Sequence, residues 1–212
     1  MLTKLLRLRK VLSGKDFFAF VQYKTSKINI GNSGANFTVA TDHLNDSSIV
    51  YSFGVGTDIS FDLGLIEKYG MNVFAFDPTP KSINWVNSQQ LPNQFKLYEY
   101  GLADYDGVAN FNPPENPDHV SHTLLEKPRN NTNAIPVQVR TLSSIMKEFG
   151  HTQIDVLKSG VKIKQWLIEF HHRFDNVGVN KTKQAIQLLN KNGYKIFDVS
   201  DTGEEFSFIK ID

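Results

Sequence analysis

Apolar positions along the chain change period several times, and each change marks an element. Ile49 to Phe53 is a short apolar run of strand length, followed by the turn Gly54-Val55-Gly56-Thr57-Asp58. Ile59, Phe61, Leu63, Leu65 and Ile66 form a mixed segment that Gly70 stops, which predicts a helix. Met71 to Phe76 is a second apolar strand with Asp77 at its C-terminal end. Pro78 and Pro80 are expected to block immediate helix formation there. Ser82 to Gln90 reads as a short helix with Ile83, Trp85 and Val86 on its apolar side, and Phe95 to Tyr100 alternates as a third strand. Asp106-Gly107 signals a hairpin begun by Val108 to Phe111, and Val137 to Val139 is a further strand. Thr141 caps a helix through Ile145, Met146 and Phe149 that ends at Gly150. Ile154 to Lys158 and Trp166 to Phe170 are core strands. Lys181 to Asn192 is a helix, and Tyr194 to Val199 pairs with Glu205 to Ile211 across the turn Ser200 to Gly203.

Strands alternating with helices, closed by an antiparallel pair, describe an α/β domain with a mostly parallel, doubly wound sheet. It is expected to span residues 46–212, after an N-terminal basic extension over 1–45. That extension opens with Leu2, Leu5, Leu6 and Leu12 near one side of a helix and Lys4, Arg7, Arg9 and Lys10 around it. Residues 1–12 therefore read either as a surface-seeking amphipathic helix or as one packed on the domain or on a second subunit. Phe17, Phe18, Phe20 and Val21 continue it, and Ile28 to Thr41 suggests a hairpin or edge strands. Asn112 to Asn133 is polar and proline-bearing, which in a compact domain marks a lid, a binding loop or disorder.

Composition narrows the classes. The 212 residues contain no cysteine, which excludes disulfides and thiolate metal sites. No apolar run approaches the ~20 residues of a spanning helix. The start lacks an apolar core of secretory length and a small-residue cleavage site, so a cytoplasmic protein is expected. Charge is segregated: residues 1–30 carry a net +6 and the remaining 182 a net −5. An acidic body argues against nucleic acid as a partner, and the basic start allows contact with an anionic surface. A small-molecule partner is expected, with a homodimer left open.

The chemistry begins at Gly54-Val55-Gly56. A strand, a Gly-x-Gly turn and a helix are the opening unit of a nucleotide-binding sheet. The glycines admit backbone angles and a ligand approach that a Cβ would forbid, and the helix amides face the ligand. Asp77 lies 21 residues after Gly56, near the ~20-residue spacing at which a second-strand carboxylate reaches ribose hydroxyls. His119, Ser121, His122 and Thr123 are candidate ligand contacts in the long polar segment, with Ser121 and His122 taken as substrate-binding.

Taken in order, Ser52-Phe53-Gly54-Val55-Gly56, Phe74-Ala75-Phe76-Asp77-Pro78-Thr79-Pro80, Gly101-Leu102-Ala103-Asp104 and Ile168-Glu169-Phe170-His171-His172 resemble the FkbM-type methyltransferases. The resemblance covers about residues 46 to 211. It implies a Rossmann-like, seven-stranded class I methyltransferase fold that binds S-adenosylmethionine. The implied cofactor set is Ser52, Phe53, Gly54, Gly56, Asp58, Asp77, Pro78, Leu102, Ala103 and Asp104. Gly54 to Gly56 would pass the methionine part, Asp77 would hold the ribose, and Leu102 to Asp104 would lie beside the adenine. Ser52 replaces the usual acid of the first strand. A second departure follows Lys158, where the family's Asp-Ile-Glu-Gly-Ala-Glu segment and helix are absent. Only seven residues, Ser159 to Gln165, join two strands that a parallel crossover would separate by at least ~10–12. Either these strands are not parallel neighbours or residues are missing at Lys158–Ser159, and the second is favoured here.

Methyl transfer to a hydroxyl needs alignment of the acceptor and removal of a proton. His171 and His172, with Glu169, follow a core strand at the ligand edge of the sheet and are the candidates for that proton. A metal site from His119, His122, His171 and His172 is not adopted, because nothing fixes their spacing. Three readings follow. The first is an S-adenosylmethionine-dependent O-methyltransferase acting on a sugar or small hydroxylated metabolite. The second is a nicotinamide-dependent oxidoreductase, although Ile59 stands where its third glycine belongs. The third is an interaction module on a degenerate methyltransferase fold.

Overall fold

The computed structural model describes residues 2–42, 44–111, 134–158, 163–170, 172–173 and 177–211. Its elements run α1 (Leu2–Leu12), β1 (Lys27–Ile30), β2 (Phe37–Ala40), β3 (Ile49–Phe53), α2 (Ser60–Tyr69), β4 (Asn72–Phe76), α3 (Pro80–Asn87) and β5 (Phe95–Tyr98). Then come β6 (Gly101–Leu102), β7 (Gly107–Phe111), β8 (Ile135–Arg140), α4 (Leu142–Phe149), β9 (Ile154–Lys158), β10 (Ile163–Glu169), α5 (Gly178–Lys191), β11 (Tyr194–Val199) and β12 (Glu205–Lys210).

Seven strands form the main sheet in the order β11-β12-β10-β9-β3-β4-β5. Five of them, β10, β9, β3, β4 and β5, are parallel, and β12 lies antiparallel between β10 and β11. This is the doubly wound sheet with a C-terminal hairpin that the apolar pattern predicts. Central β3 is apolar almost throughout because both of its faces are covered, and Val50, Tyr51 and Ser52 are fully buried. The chain moves outward from β3 to β5 and later returns to β9 on the other side. The switch point therefore lies at the C-terminal ends of β3 and β9, where an open α/β sheet forms a ligand crevice.

On one face, Leu65 of α2 and Val86 of α3 pack with Val50, Val73, Val156 and Leu167 of the sheet. The β1–β2 hairpin joins this layer through Ile30, Phe37 and Val39, so residues 27–40 belong to the domain core. Gln165, buried within β10, clamps the hairpin: its Nε2 donates to the Ala40 carbonyl at 2.8 Å and its Oε1 accepts from the Ala40 amide at 2.7 Å. Gly64 makes the close approach of α2 possible. A Cβ there would stand 2.4 Å from Cγ2 of Ile30.

The other face is aromatic. Tyr51, Phe74 and Phe76 of the sheet pack against Leu142 and Ile145 of α4, with Tyr98 and Phe149 alongside. The Tyr51 hydroxyl lies 2.7 Å from Nδ1 of His151. Burial, and to a lesser extent the charge of Lys96, lower the His151 imidazole below its ordinary value. Farther along this face, Ile186 of α5 packs on Phe206 and Phe208 of β12, with Phe17 and Ala19 of the N-terminal segment.

Three expectations are corrected. Pro80 does not delay a helix but starts α3, because the first helical position needs no amide donor. β7 does not pair with a strand across Asp106-Gly107; it pairs antiparallel with distant β8, which also takes up β6 in the order β6-β8-β7. Asp106 instead accepts hydrogen bonds from the Thr141 amide at 2.6 Å and the Ser144 hydroxyl at 2.5 Å, fixing the start of α4. Finally, β9 and β10 are parallel neighbours, with Ile154 opposite Ile163 and Leu157 opposite Trp166. The full sequence passes from Lys158 to Ser159 without a break, which overturns the expectation of missing residues. Residues 159–162, which join the two strands, lie outside the described residues, and four residues are too few to hold a crossover helix.

Two predictions follow. Gly64→Ala gains about 1 kcal/mol of helix propensity, yet crowding stiff, β-branched Ile30 costs about 1–3 kcal/mol. Denaturant unfolding should therefore show a net loss in the native background and a gain once Ile30→Ala has removed the obstructing methyl. The folded state favours neutral His151, so its contribution to stability is complete above pH 6.5. That contribution is lost as pH falls from there through the lower folded value. Melting temperatures between pH 8 and pH 5 should fall more steeply for the native chain than for His151→Asn.

Candidate functional site

Three loops converge at the C-terminal ends of β3, β4 and β5. The first is the Gly54–Asp58 turn, with Gly54 at φ 72° and Gly56 at φ 60°, conformations that glycine adopts without a Cβ penalty. The Gly54 amide donates to the Phe76 carbonyl at 2.8 Å, and the Gly56 amide to Oδ2 of Asp77 at 3.0 Å. Phe53 and Phe76 stack beneath this link, with centroids 4.4 Å apart. Among the described residues, a Cβ placed on Gly54 would meet nothing within 4 Å, which leaves open space beside that main chain.

Asp77 is the hub. It is buried, its amide donates to the Tyr98 carbonyl at 3.1 Å, and Oδ1 accepts from the Thr79 amide at 2.9 Å and the Thr79 hydroxyl at 2.6 Å. A carboxylate offers about four lone-pair sites. Three are taken by the protein here, which leaves one on Oδ2 for a ligand hydroxyl. The carboxylate thus shapes the turn first, and what it offers a diol is narrower than the two hydrogen bonds that spacing suggests.

The third loop follows β5. A Cβ on Gly101 would lie 3.2 Å from Cγ of Pro78, so this glycine lets the third loop close on the second. Leu102 pairs with Arg140, and the Ala103 amide donates to the Arg140 carbonyl at 3.0 Å. Leu102 and Ala103 are half-buried and Asp104 is exposed, giving a wall beside Pro78. Asp58 closes the opposite side: its Oδ1 accepts from the Ser60 amide at 2.9 Å and its Oδ2 from Asn32 Nδ2 at 3.3 Å. The Ser60 amide at the start of α2 is therefore occupied by Asp58.

Two further features bear on a ligand. Ser52, two residues before Gly54, has a buried hydroxyl with no hydrogen-bond partner among the described residues. Thr79, Ser82 and Asn32 contribute to the site although sequence reasoning passed them over. Thr79 Oγ1 donates at 2.6 Å to Asp77, and Ser82 Oγ lies 2.8 Å from it. The signal for Thr79 was present, since Thr-Pro is a helix N-cap followed by its first residue.

The candidate acid–base residues stand elsewhere. Glu169 ends β10 and His172 follows it, and β9 separates β10 from β3. The His172 side chain is buried, with Nε2 3.1 Å from Oδ1 of Asp16 and its ring edge-on to Phe17 at 5.5 Å. Burial alone would raise the Asp16 carboxyl. The Arg173 hydrogen bond at 2.5 Å, the Phe17 amide and the charges of Arg173 and His172 hold it below the ordinary carboxylate range. This cluster ties the N-terminal segment to the end of β10. Glu169 is exposed and stands opposite Glu205. His171, His119, Ser121, His122 and Thr123 lie outside the described residues. Among the described residues, no three His, Asp or Glu side chains group as metal ligands, and no helix is long and apolar enough to cross a membrane.

Against known proteins, the family model of the methyltransferase FkbM domain matches residues 32–196. Human probable methyltransferase-like protein 24 is 30% identical over 133 residues, which is 62% of this chain and 30% of that protein. Its counterpart from Rattus norvegicus is 29% identical over 119 residues, 56% of this chain and 26% of the relative. The chain thus spans less than a third of these relatives' length. No solved structure matches it. The family match takes in the Gly54–Asp58 turn, Asp77 and the Gly101–Asp104 loop together, and this chain belongs to the FkbM methyltransferase domain family.

Proposed function

We propose that the chain binds S-adenosylmethionine at the C-terminal ends of β3, β4 and β5 and methylates a hydroxyl of a sugar or other small metabolite. The convergence of an open Gly54 turn, Asp77 and the Gly101 loop at the first three strands carries this reading. The residues fit such a ligand. The orphaned Ser52 hydroxyl and the open space beside Gly54 would serve the amino-acid part, the free lone pair of Asp77 Oδ2 a ribose hydroxyl, and Pro78 and Leu102 to Asp104 the flat base. When bound, the cofactor supplies an electrophilic sulfonium methyl. The protein's task is to hold that donor, align an acceptor oxygen and take its proton. His171 and Glu169 keep the proton-accepting role on this reading, while His172 acts as an anchor for Asp16.

One observation favours a second reading, a module that binds the cofactor without transfer. The four residues between β9 and β10 leave out the segment that the family resemblance places near the methyl group.

Isothermal titration with S-adenosylhomocysteine should give micromolar binding that Asp77→Ala weakens by about tenfold or more, the loss of a hydrogen bond to a charged group. Gly54→Val should abolish binding, because it both fills the open space and strains a positive-φ position. Binding of NAD in its place, or no binding by a folded chain, would overturn the assignment. With binding secured, release of S-adenosylhomocysteine from S-adenosylmethionine only when a hydroxylated acceptor is added would decide for transfer over the second reading.

A further inference from the structure

Ten large apolar side chains are exposed among the described residues, and seven of them lie between Leu6 and Tyr23. Leu12 is 79% and Phe20 81% exposed, with Leu6, Leu8, Phe18 and Val21 between about two-fifths and three-fifths. Such crowding on one short stretch differs from the scattered apolar residues of an ordinary surface.

The stretch is held in place. After α1, the chain extends with a period of two: Phe17 and Ala19 turn inward onto Phe206 and Ile196, and Phe18 and Phe20 turn outward. One end is pinned by Asp16, which binds Arg173 and His172. The other is pinned by the amides of Gln22 and Tyr23, which donate to the Ile196 carbonyl at 2.6 and 3.1 Å. Gln22 Oε1 accepts from the Ile196 amide at 2.9 Å in return. The outward phenylalanines therefore ride on a fixed backbone. Val11 of α1 and Phe18 face a shared cavity of about 820 Å³ with Val177 and Val179, so α1 and the extended segment form one surface.

Cations crowd this surface. Arg7 and Lys27 are committed to Asp16 and Asp198. Arg9, Lys10, Lys15 and Lys24 form no ion pair among the described residues. These four cations flank the apolar patch within a segment, residues 1–30, of net +6, against a net −5 for the rest of the chain. Protein interfaces are depleted of lysine at their centres. Phenylalanine and leucine interleaved with Lys and Arg match instead the boundary of an anionic bilayer, which takes up apolar tips and attracts the cations to lipid phosphates.

We infer that residues 6–24 dock the protein on an anionic lipid surface, with Leu12, Phe18 and Phe20 entering the headgroup boundary and Arg9, Lys10, Lys15 and Lys24 facing the phosphates. The dock is separate from the Gly54–Asp77 site, so its test does not depend on the cofactor assignment. The full chain is floated with phosphatidylcholine vesicles with and without phosphatidylserine. Binding should require phosphatidylserine and fall with added salt. Leu12→Ser with Phe20→Ser should remove most of it. Lys10→Glu with Lys15→Glu should reduce it by at least about fivefold per basic residue lost. Both variants change exposed side chains, and unchanged melting temperatures would show that they fold. Equal binding to both vesicle types, or full binding by either variant, would overturn the inference. So would a failure to float accompanied by a concentration-dependent dimer that the Leu12/Phe20 variant breaks, since the patch would then be a protein interface.

Discussion

The hydrogen bond from the Gly56 amide to the Asp77 carboxylate joins positions 21 residues apart and fixes the geometry of the candidate site. It works with the bond from the Gly54 amide to the Phe76 carbonyl to lay the turn after β3 across the end of β4. Thr79 holds the other carboxylate oxygen, so the acid neither rotates nor swings toward solvent. A buried carboxylate that accepts three hydrogen bonds ties the turn after β3 to the loop after β4. Without this clamp the open space beside Gly54 would have no fixed floor.

The rest of the sheet serves that edge. β3 is covered on one face by α2, α3 and the β1–β2 hairpin, and on the other by the aromatic layer under α4. Gly64 and Gln165 both act at the hairpin: one lets α2 approach Ile30, the other satisfies the Ala40 backbone inside the core. Leaving those two buried backbone groups unpaired would cost about 1–3 kcal/mol each. On the far side of the switch point the fold is sparer, because β9 passes to its parallel neighbour β10 through four residues. The cofactor half of the site and the half that would handle an acceptor are thus built to different degrees.

What could be read from the sequence follows the range of each interaction. Strand, glycine turn, helix and Asp77 were legible because each is a local pattern with a physical cause within a few residues. The same holds for Thr141 at the start of α4, where its hydroxyl accepts from the Ser144 amide at 3.2 Å. Pro80 was misread because the bar to helix interiors was applied to a first position, where it does not hold. Asp106 was misread because its partners, Thr141 and Ser144, lie 35 and 38 residues away. His172 was read as chemistry for a similar reason: Asp16 stands 156 residues earlier, and nothing near either residue announces the pair. Gln165 and Ala40, 125 residues apart, were equally invisible.

The central claim is that the three loops at the ends of β3, β4 and β5 form one ligand site. Hydrogen–deuterium exchange of the full chain, with and without S-adenosylhomocysteine, tests it directly. The account predicts that the ligand slows exchange together in residues 54–60, 77–79 and 101–104, with no comparable change at 16–23 or 194–199. Protection confined to one of the three loops, or appearing beyond β10 while they stay unchanged, would contradict it.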